Sequence, residues 1–165
     1  MIETTPAEER PERPVSHSET WQSCLVMQGH INGYGRLFGG VLMSWIDQVA
    51  GIVARRHAGC EATTAAVDSL VFHAPALLND IVVLRGRVTH VGQTSMEVRV
   101  DSFREEADGT RHLINRAYLV MVAIDSSGKS RSVPGLRLET EQERMEWETA
   151  ARRDRLRRER RAEGY

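Results

Sequence analysis

No stretch of this sequence is apolar over the roughly 20 residues that a bilayer-spanning helix requires. The longest candidate, Val41 to Ala54, is interrupted by Asp47 and Gln48, so no membrane-spanning role is expected. The opening residues, MIETTPAEERPERP, are acidic and proline-rich and lack the apolar stretch of a secretory signal, which makes the cytoplasm the expected compartment. Cysteine is scarce. Cys24 and Cys60 are the only two, and without an export signal they are expected as free thiols rather than a disulfide. An excess of charge of one sign is missing too. With 22 Lys and Arg against 23 Asp and Glu the formal net charge is -1, so nothing draws the whole molecule toward nucleic acid, and a charged partner would need a local patch.

Several catalytic devices are absent as well. There is no Gly-x-Ser-x-Gly elbow, and Cys60 follows the end of a predicted helix, where the dipole disfavours a thiolate. Gly128-Lys129-Ser130 resembles the end of a phosphate loop, but Ala123 stands where its first glycine belongs. The six histidines are scattered without the paired spacing of a zinc site, so no metal is expected, and His73 and His90 read as strand or turn residues.

What remains is a chain of 165 residues, 41% apolar, sufficient for one domain with a core. Residues 1–17 read as a loosely attached arm. A strand is predicted from Trp21 to Met27, followed by a glycine-rich loop from Gly29 to Gly40. Val41 to Ala54 is apolar nearly all round and ends in Arg55-Arg56-His57 and then Gly59. Cations suit a helix C-terminus and glycine a left-handed cap, so this is a buried helix with a doubly marked stop. Four strands follow, Thr63 to Phe72, Ile81 to Val91, Ser95 to Phe103 and Leu113 to Ile124. The connection Gly92-Gln93-Thr94 is too short for anything but a hairpin, and Asp108-Gly109 marks another. In the Ser95 strand, Met96, Val98 and Val100 alternate with Glu97, Arg99 and Asp101, which predicts one face on a core and one toward water. The class is α+β, with the helix against one sheet. A helix apolar all round needs more cover than one sheet provides, so an obligate dimer is expected. Residues 136–165 read as a charged helical tail, acidic early and arginine-rich late. It is expected to be solvated, with an arginine patch for phosphate or RNA as the alternative.

Asp47 is the only ionisable residue between Gly40 and Ala54. A carboxylate buried without partners costs several kcal/mol, which singles it out. Gly40, Ser44 and Asp47 fall at i, i+4 and i+7, on one helical stripe. Free amides of Gly39 and Gly40 at the helix start suit an oxyanion. The structural alternatives are an aspartate turned to a solvent gap or bonded to Ser44, and glycines that merely shape a tight turn.

The segment Asn32-Gly33-Tyr34-Gly35-Arg36-Leu37-Phe38-Gly39-Gly40-Val41-Leu42-Met43-Ser44-Trp45-Ile46-Asp47 resembles the signature of the bacterial hotdog-fold acyl-CoA thioesterases. So do Thr64-Ala65-Ala66-Val67-Asp68 with Phe72 and Pro75, Val91 to Val98, and Val122 to Asp125 ahead of Val133-Pro134. The resemblance covers residues 18–135. It implies a five-stranded antiparallel sheet wrapped around the helix, dimers joined edge to edge, and three dimers in a hexamer. It implies hydrolysis of acyl-CoA by Asp47, as general base or nucleophile, with Asn32 of one subunit facing Asp47 of the other. Phe38, Gly39 and Gly40 would form the oxyanion and substrate contact. Coenzyme A would enter as substrate, with no other cofactor, its phosphates near Thr94, Ser95 and Arg131. Two departures stand out: His30 replaces a common aspartate, and Asn79-Asp80 replaces a Gly-Asp turn. The rival readings are a non-catalytic acyl-CoA-binding module and a hotdog hydratase or dehydratase; the latter usually pairs a histidine with a carboxylate, and this helix region offers none beside Asp47. Acyl-chain preference is not legible.

Overall fold

The computed structural model describes residues 10–164. In chain order the elements are β1 (Glu12–Pro14), α1 (Val15–Ser18), β2 (Thr20–Leu25), α2 (Gly39–Ala58), β3 (Glu61–Phe72), β4 (Ile81–Val91), β5 (Ser95–Glu105), β6 (Arg111–Ile124), β7 (Gly135–Arg137) and α3 (Glu141–Ala162). Strands β2 to β6 form one five-stranded sheet in the order β2-β4-β5-β6-β3, antiparallel throughout. Strands β2 and β3 are therefore its two edges.

Helix α2 lies across the inner face of this sheet. Leu42, Ile46, Val49, Ala50, Val53 and Ala54 pack on Val82, Leu84, Val88, Met96, Val98, Val100, Leu119 and Met121 in a single buried cluster. Helix and sheet approach closely at Gly86 of β4. A Cβ there would sit 2.6 Å from Val49 and 2.8 Å from Val53, so the absence of a side chain lets helix and strand meet. The helix stops where its sequence predicts, with Gly59 left-handed at φ 71 and its amide bonded to the Arg55 carbonyl. Asn79 takes a φ of 70, a conformation that asparagine tolerates better than most residues. Cys24 and Cys60 are free.

Three expectations are corrected. First, the polar face of β5 does not meet water. Glu97, Arg99 and Asp101 are 2%, 8% and 3% exposed, because α3 lies over them. Glu97 accepts from Thr89, Arg153 and Arg157. Arg99 bonds Asp101 and Glu146. Arg157 and Arg160 both reach Asp68 of β3. Alternation reports that two faces differ, but it cannot tell water from a charged partner helix. Second, the terminal helix is accordingly no free tail: Arg153, Arg157 and Arg160 are paired within the chain rather than displayed for phosphate. His90 stacks on Trp147 of this helix, ring centroids 4.3 Å apart.

Third, the expected arm of residues 1–17 is not loosely attached over its described part. Its first nine residues lie outside the described ones. From Arg10 onward the segment is engaged: β1 pairs in parallel with β7, Val15 and Ser18 are buried, and Arg13 donates to the carbonyls of Arg56 and His57 at the end of α2. These contacts join polar backbone groups and one valine to distant partners, which local composition does not announce.

Candidate active site

Helix α2 is covered on one side only. Gly40, Met43, Ser44, Asp47 and Gln48 are all exposed, and they form the stripe that the spacing predicts. Asp47 is therefore not buried within one protomer, contrary to expectation. The reason is geometric: the sheet curves around one side of the helix and leaves the opposite stripe bare. Edge strand β3 borders this face with its own exposed residues, among them Val67, Val71 and Phe72.

Asp47 is nevertheless held. The hydroxyl of Thr64 on β3 donates to its Oδ1 at 2.6 Å and also lies 3.5 Å from the sulfur of Met121. Ser44 is not the partner of Asp47; its hydroxyl faces the Gln48 amide at 3.4 Å. Thr64 is a site residue that sequence reasoning passed over. It opens one of the blocks that carry the resemblance, but only strand-to-helix packing shows that Thr64, and not its neighbour Thr63, faces the carboxylate.

At the start of α2 the backbone amides of Gly39 and Gly40 have no acceptor among the described residues, whereas Val41 and Leu42 already bond to the Phe38 carbonyl. These two free amides stand at the positive end of a 20-residue helix. Two aromatic rings frame them. Phe72 lies 3.5 Å from where a Cβ of Gly39 would be, and Phe38 only 2.7 Å from that of Gly40. A side chain at Gly40 would thus displace the Phe38 ring. Both rings are half exposed, so they form an apolar lip beside polar amides.

Asn32 lies in the loop before the helix and does not contact Asp47 of its own chain. Its Oδ1 accepts from the amides of Tyr34 and Arg36 at 2.9 and 3.2 Å, which shapes a loop with Tyr34 projecting at 89% exposure. Its Nδ2 has no partner among the described residues. His30 accepts from the Met27 amide through Nδ1 and sets its ring edge-on to Trp45 of α2, 5.2 Å away; it anchors the loop to the helix.

Thr94, Ser95 and Arg131 come together at one end of the sheet, around the β4–β5 hairpin. The Thr94 carbonyl and the Arg131 amide both bond Ala123, and Ser95 closes the hairpin on Gly92. None of the three contacts Asp47. Among the described residues no group of three or more His, Cys, Asp or Glu side chains converges as metal ligands would.

This arrangement has counterparts among known proteins. Residues 34–109 match the family model of the thioesterase superfamily. An uncharacterised acyl-CoA thioester hydrolase of Bacillus subtilis is 42% identical over 147 residues, spanning 88% of this chain and 86% of its own. The acyl-CoA hydrolase of Staphylococcus aureus, solved with butyryl coenzyme A, coenzyme A and coenzyme A disulfide, superposes with a TM-score of 0.88. It is 34% identical and covers 93% of this chain and 94% of its own. Variants of that enzyme replace an asparagine, an aspartate and a threonine by alanine; along the chain the three have the same separations as Asn32, Asp47 and Thr64 here. A hexameric acyl-CoA thioesterase is 39% identical, with a TM-score of 0.88 over 92% of this chain and 98% of its own. By sequence and by fold, the chain belongs to the hotdog acyl-CoA thioester hydrolases of the thioesterase superfamily.

Proposed function

We propose that the protein hydrolyses acyl-CoA thioesters to a free carboxylic acid and coenzyme A, with Asp47 as the catalytic carboxylate. The observation that carries this reading is Asp47 held by Thr64 on the same open helix stripe that begins at the free amides of Gly39 and Gly40. Thr64 occupies Oδ1 and leaves Oδ2 for a water. Asp47 takes a proton from that water as its oxygen attacks the thioester carbonyl carbon. The carbonyl oxygen becomes an oxyanion on the Gly39 and Gly40 amides. Collapse breaks the C–S bond, and the departing thiolate of coenzyme A takes up a proton. Phe38 and Phe72 supply an apolar edge for the acyl group.

The minimal unit in this reading is a homodimer. Its contact is the open stripe of α2 together with the free edge of β3, and three such dimers would make a hexamer. The unpartnered Nδ2 of Asn32 then reaches Asp47 of the other subunit. Thr94, Ser95 and Arg131 serve the coenzyme A phosphates, and the chemistry asks for no metal or further cofactor. No described helix is long and apolar enough to cross a membrane, and acyl-CoA chemistry suits a cytoplasmic enzyme.

The experiment is release of free thiol from acetyl-, hexanoyl- and palmitoyl-CoA by the intact oligomer and by Asp47→Asn and Asp47→Ala. Turnover is expected to fall by about 10²–10⁴-fold, the usual contribution of a general base. Near-normal turnover in a folded variant would refute the assignment. Single turnover in heavy-oxygen water tests the nucleophile: label found in Asp47 requires a covalent anhydride opened at the Asp47 carbon, since direct attack by water labels only the released acid.

A further inference from the structure

On the outer face of the sheet, opposite to α2, lies a cavity of about 170 Å³. It is open to solvent on one side and sits under the first turns of α3. Val15, Leu136 and Leu138 make an apolar wall, and Arg87 of β4 lines it from the sheet. Strand alternation puts Arg85, Arg87 and Thr89 on this outer face, and Arg87 stands directly opposite Arg99 of β5. Like charges so placed repel one another unless an anion lies between them or beside them.

The surrounding carboxylates offset this only in part, since Asp101 and Glu146 favour the charged Arg87 without forming an ion pair with it. Glu19 is held by two nitrogens of Arg85. Asp101 is shared by Arg99 and Arg116, and Glu146 by Arg99 and Arg153. Glu143 turns to the amides of Glu139 and Thr140. Arg87 alone, half-buried, has neither hydrogen bond nor ion pair among the described residues. Burial, then the neighbouring Arg99 and Arg85, hold its pKa below the ordinary guanidinium value against a smaller opposing pull from Asp101 and Glu146, in keeping with a cation that has no carboxylate in direct contact.

We propose that this cavity binds a small monocarboxylate with a short apolar body, its carboxylate on Arg87 and its hydrocarbon against Val15, Leu136 and Leu138. One unmatched guanidinium calls for a single negative charge. Glu19, Glu143 and Glu146 nearby disfavour a dianion such as phosphate. The site is separate from Asp47 and does not depend on thioester hydrolysis, although the acid released there is of the same chemistry.

The test is calorimetric titration of the full chain with hexanoate, the neutral hexanamide and inorganic phosphate. Saturable hexanoate binding is expected, with hexanamide and phosphate weaker by at least about tenfold, because a charge-assisted bidentate pair is lost or mismatched. Arg87→Gln should weaken hexanoate comparably. Leu138→Trp, which fills the apolar wall and leaves the cation, should abolish binding even if Arg87→Gln fails to fold. Asp47→Ala should leave it unchanged. The proposal is overturned by absent hexanoate binding, by equal binding of phosphate, by indifference to the cavity substitutions, or by loss of binding in Asp47→Ala.

Discussion

Thr64 and Asp47 are joined by one short hydrogen bond that fixes the direction of the carboxylate. A lone aspartate on an exposed helix face samples several rotamers, and a donor at 2.6 Å selects one of them. Replacing Thr64 by Val keeps the strand and the volume but removes that donor. Turnover is expected to drop by about tenfold, less than for Asp47 itself, because in the proposed mechanism the base remains and only its aim is lost. A steady-state comparison of kcat and KM checks this: kcat should carry the loss, and an unchanged kcat would remove Thr64 from the mechanism. The position of Asp47 on its stripe was legible from spacing. Its donor was not, since Thr63 and Thr64 differ only in which face of β3 they occupy.

At the scale of elements, α3 and the outer face of the sheet are held together by charge. Glu97 has a side chain 1% exposed and is shared by Arg153 and Arg157, themselves 17% and 11% exposed. Removing one member of such a set strands the others. Arg157→Met is expected to destabilise the fold by about 3–5 kcal/mol, seen as a fall in melting temperature on the order of 10 °C. Glu97→Gln with Arg153 and Arg157 both changed to Met should recover part of that loss, because no unpaired charge is then left behind. Heat denaturation of the two variants side by side measures both effects. The alternating pattern of β5 announced a strand correctly. It could not announce the helix above it, whose arginines read equally well as a solvated face.

The end of α2 gives a pH dependence. His57 is buried, and its Nε2 lies 3.2 Å from the Pro134 carbonyl. Desolvation lowers its pKa, opposed by that hydrogen bond and assisted by Arg13, His17 and Arg10. His90 is lowered in the same direction, again chiefly by desolvation. A histidine with a depressed folded-state pKa takes its proton more readily when unfolded. Stability is therefore full above the ordinary imidazole range and is lost as pH falls through that range toward the folded value. Denaturant midpoints at about pH 7.5 and about pH 5.5 should differ more for the natural protein than for His57→Gln. A difference that persists unchanged in the variant would remove His57 as its source.

For the whole molecule, the uncovered stripe of α2 and the free edge of β3 point to a second copy. Val67 lies on that edge, 45% exposed. Val67→Lys puts a charge where two edges would pair, a device by which natural sheets prevent such contact. Sedimentation should show smaller species, and thiol release should fall with them, because Asn32 then has no neighbouring Asp47. A dissociated protomer with full activity would end the shared-site reading.

The order and placement of the five strands of the main sheet and the helix stop at Gly59, though not β1, α1 and β7, were determined by sequence alone, because hydrophobic period and turn chemistry are local properties. So was the candidacy of Asp47 and the two glycines, since helical spacing is arithmetic. The covering of Glu97 by α3, the donor to Asp47, the bare side of α2 and the unmatched Arg87 were decided only by tertiary structure. Each depends on which surfaces meet across the fold, and residues far apart along the chain, such as Arg157 and Asp68, carry no mark of one another until packing brings them together.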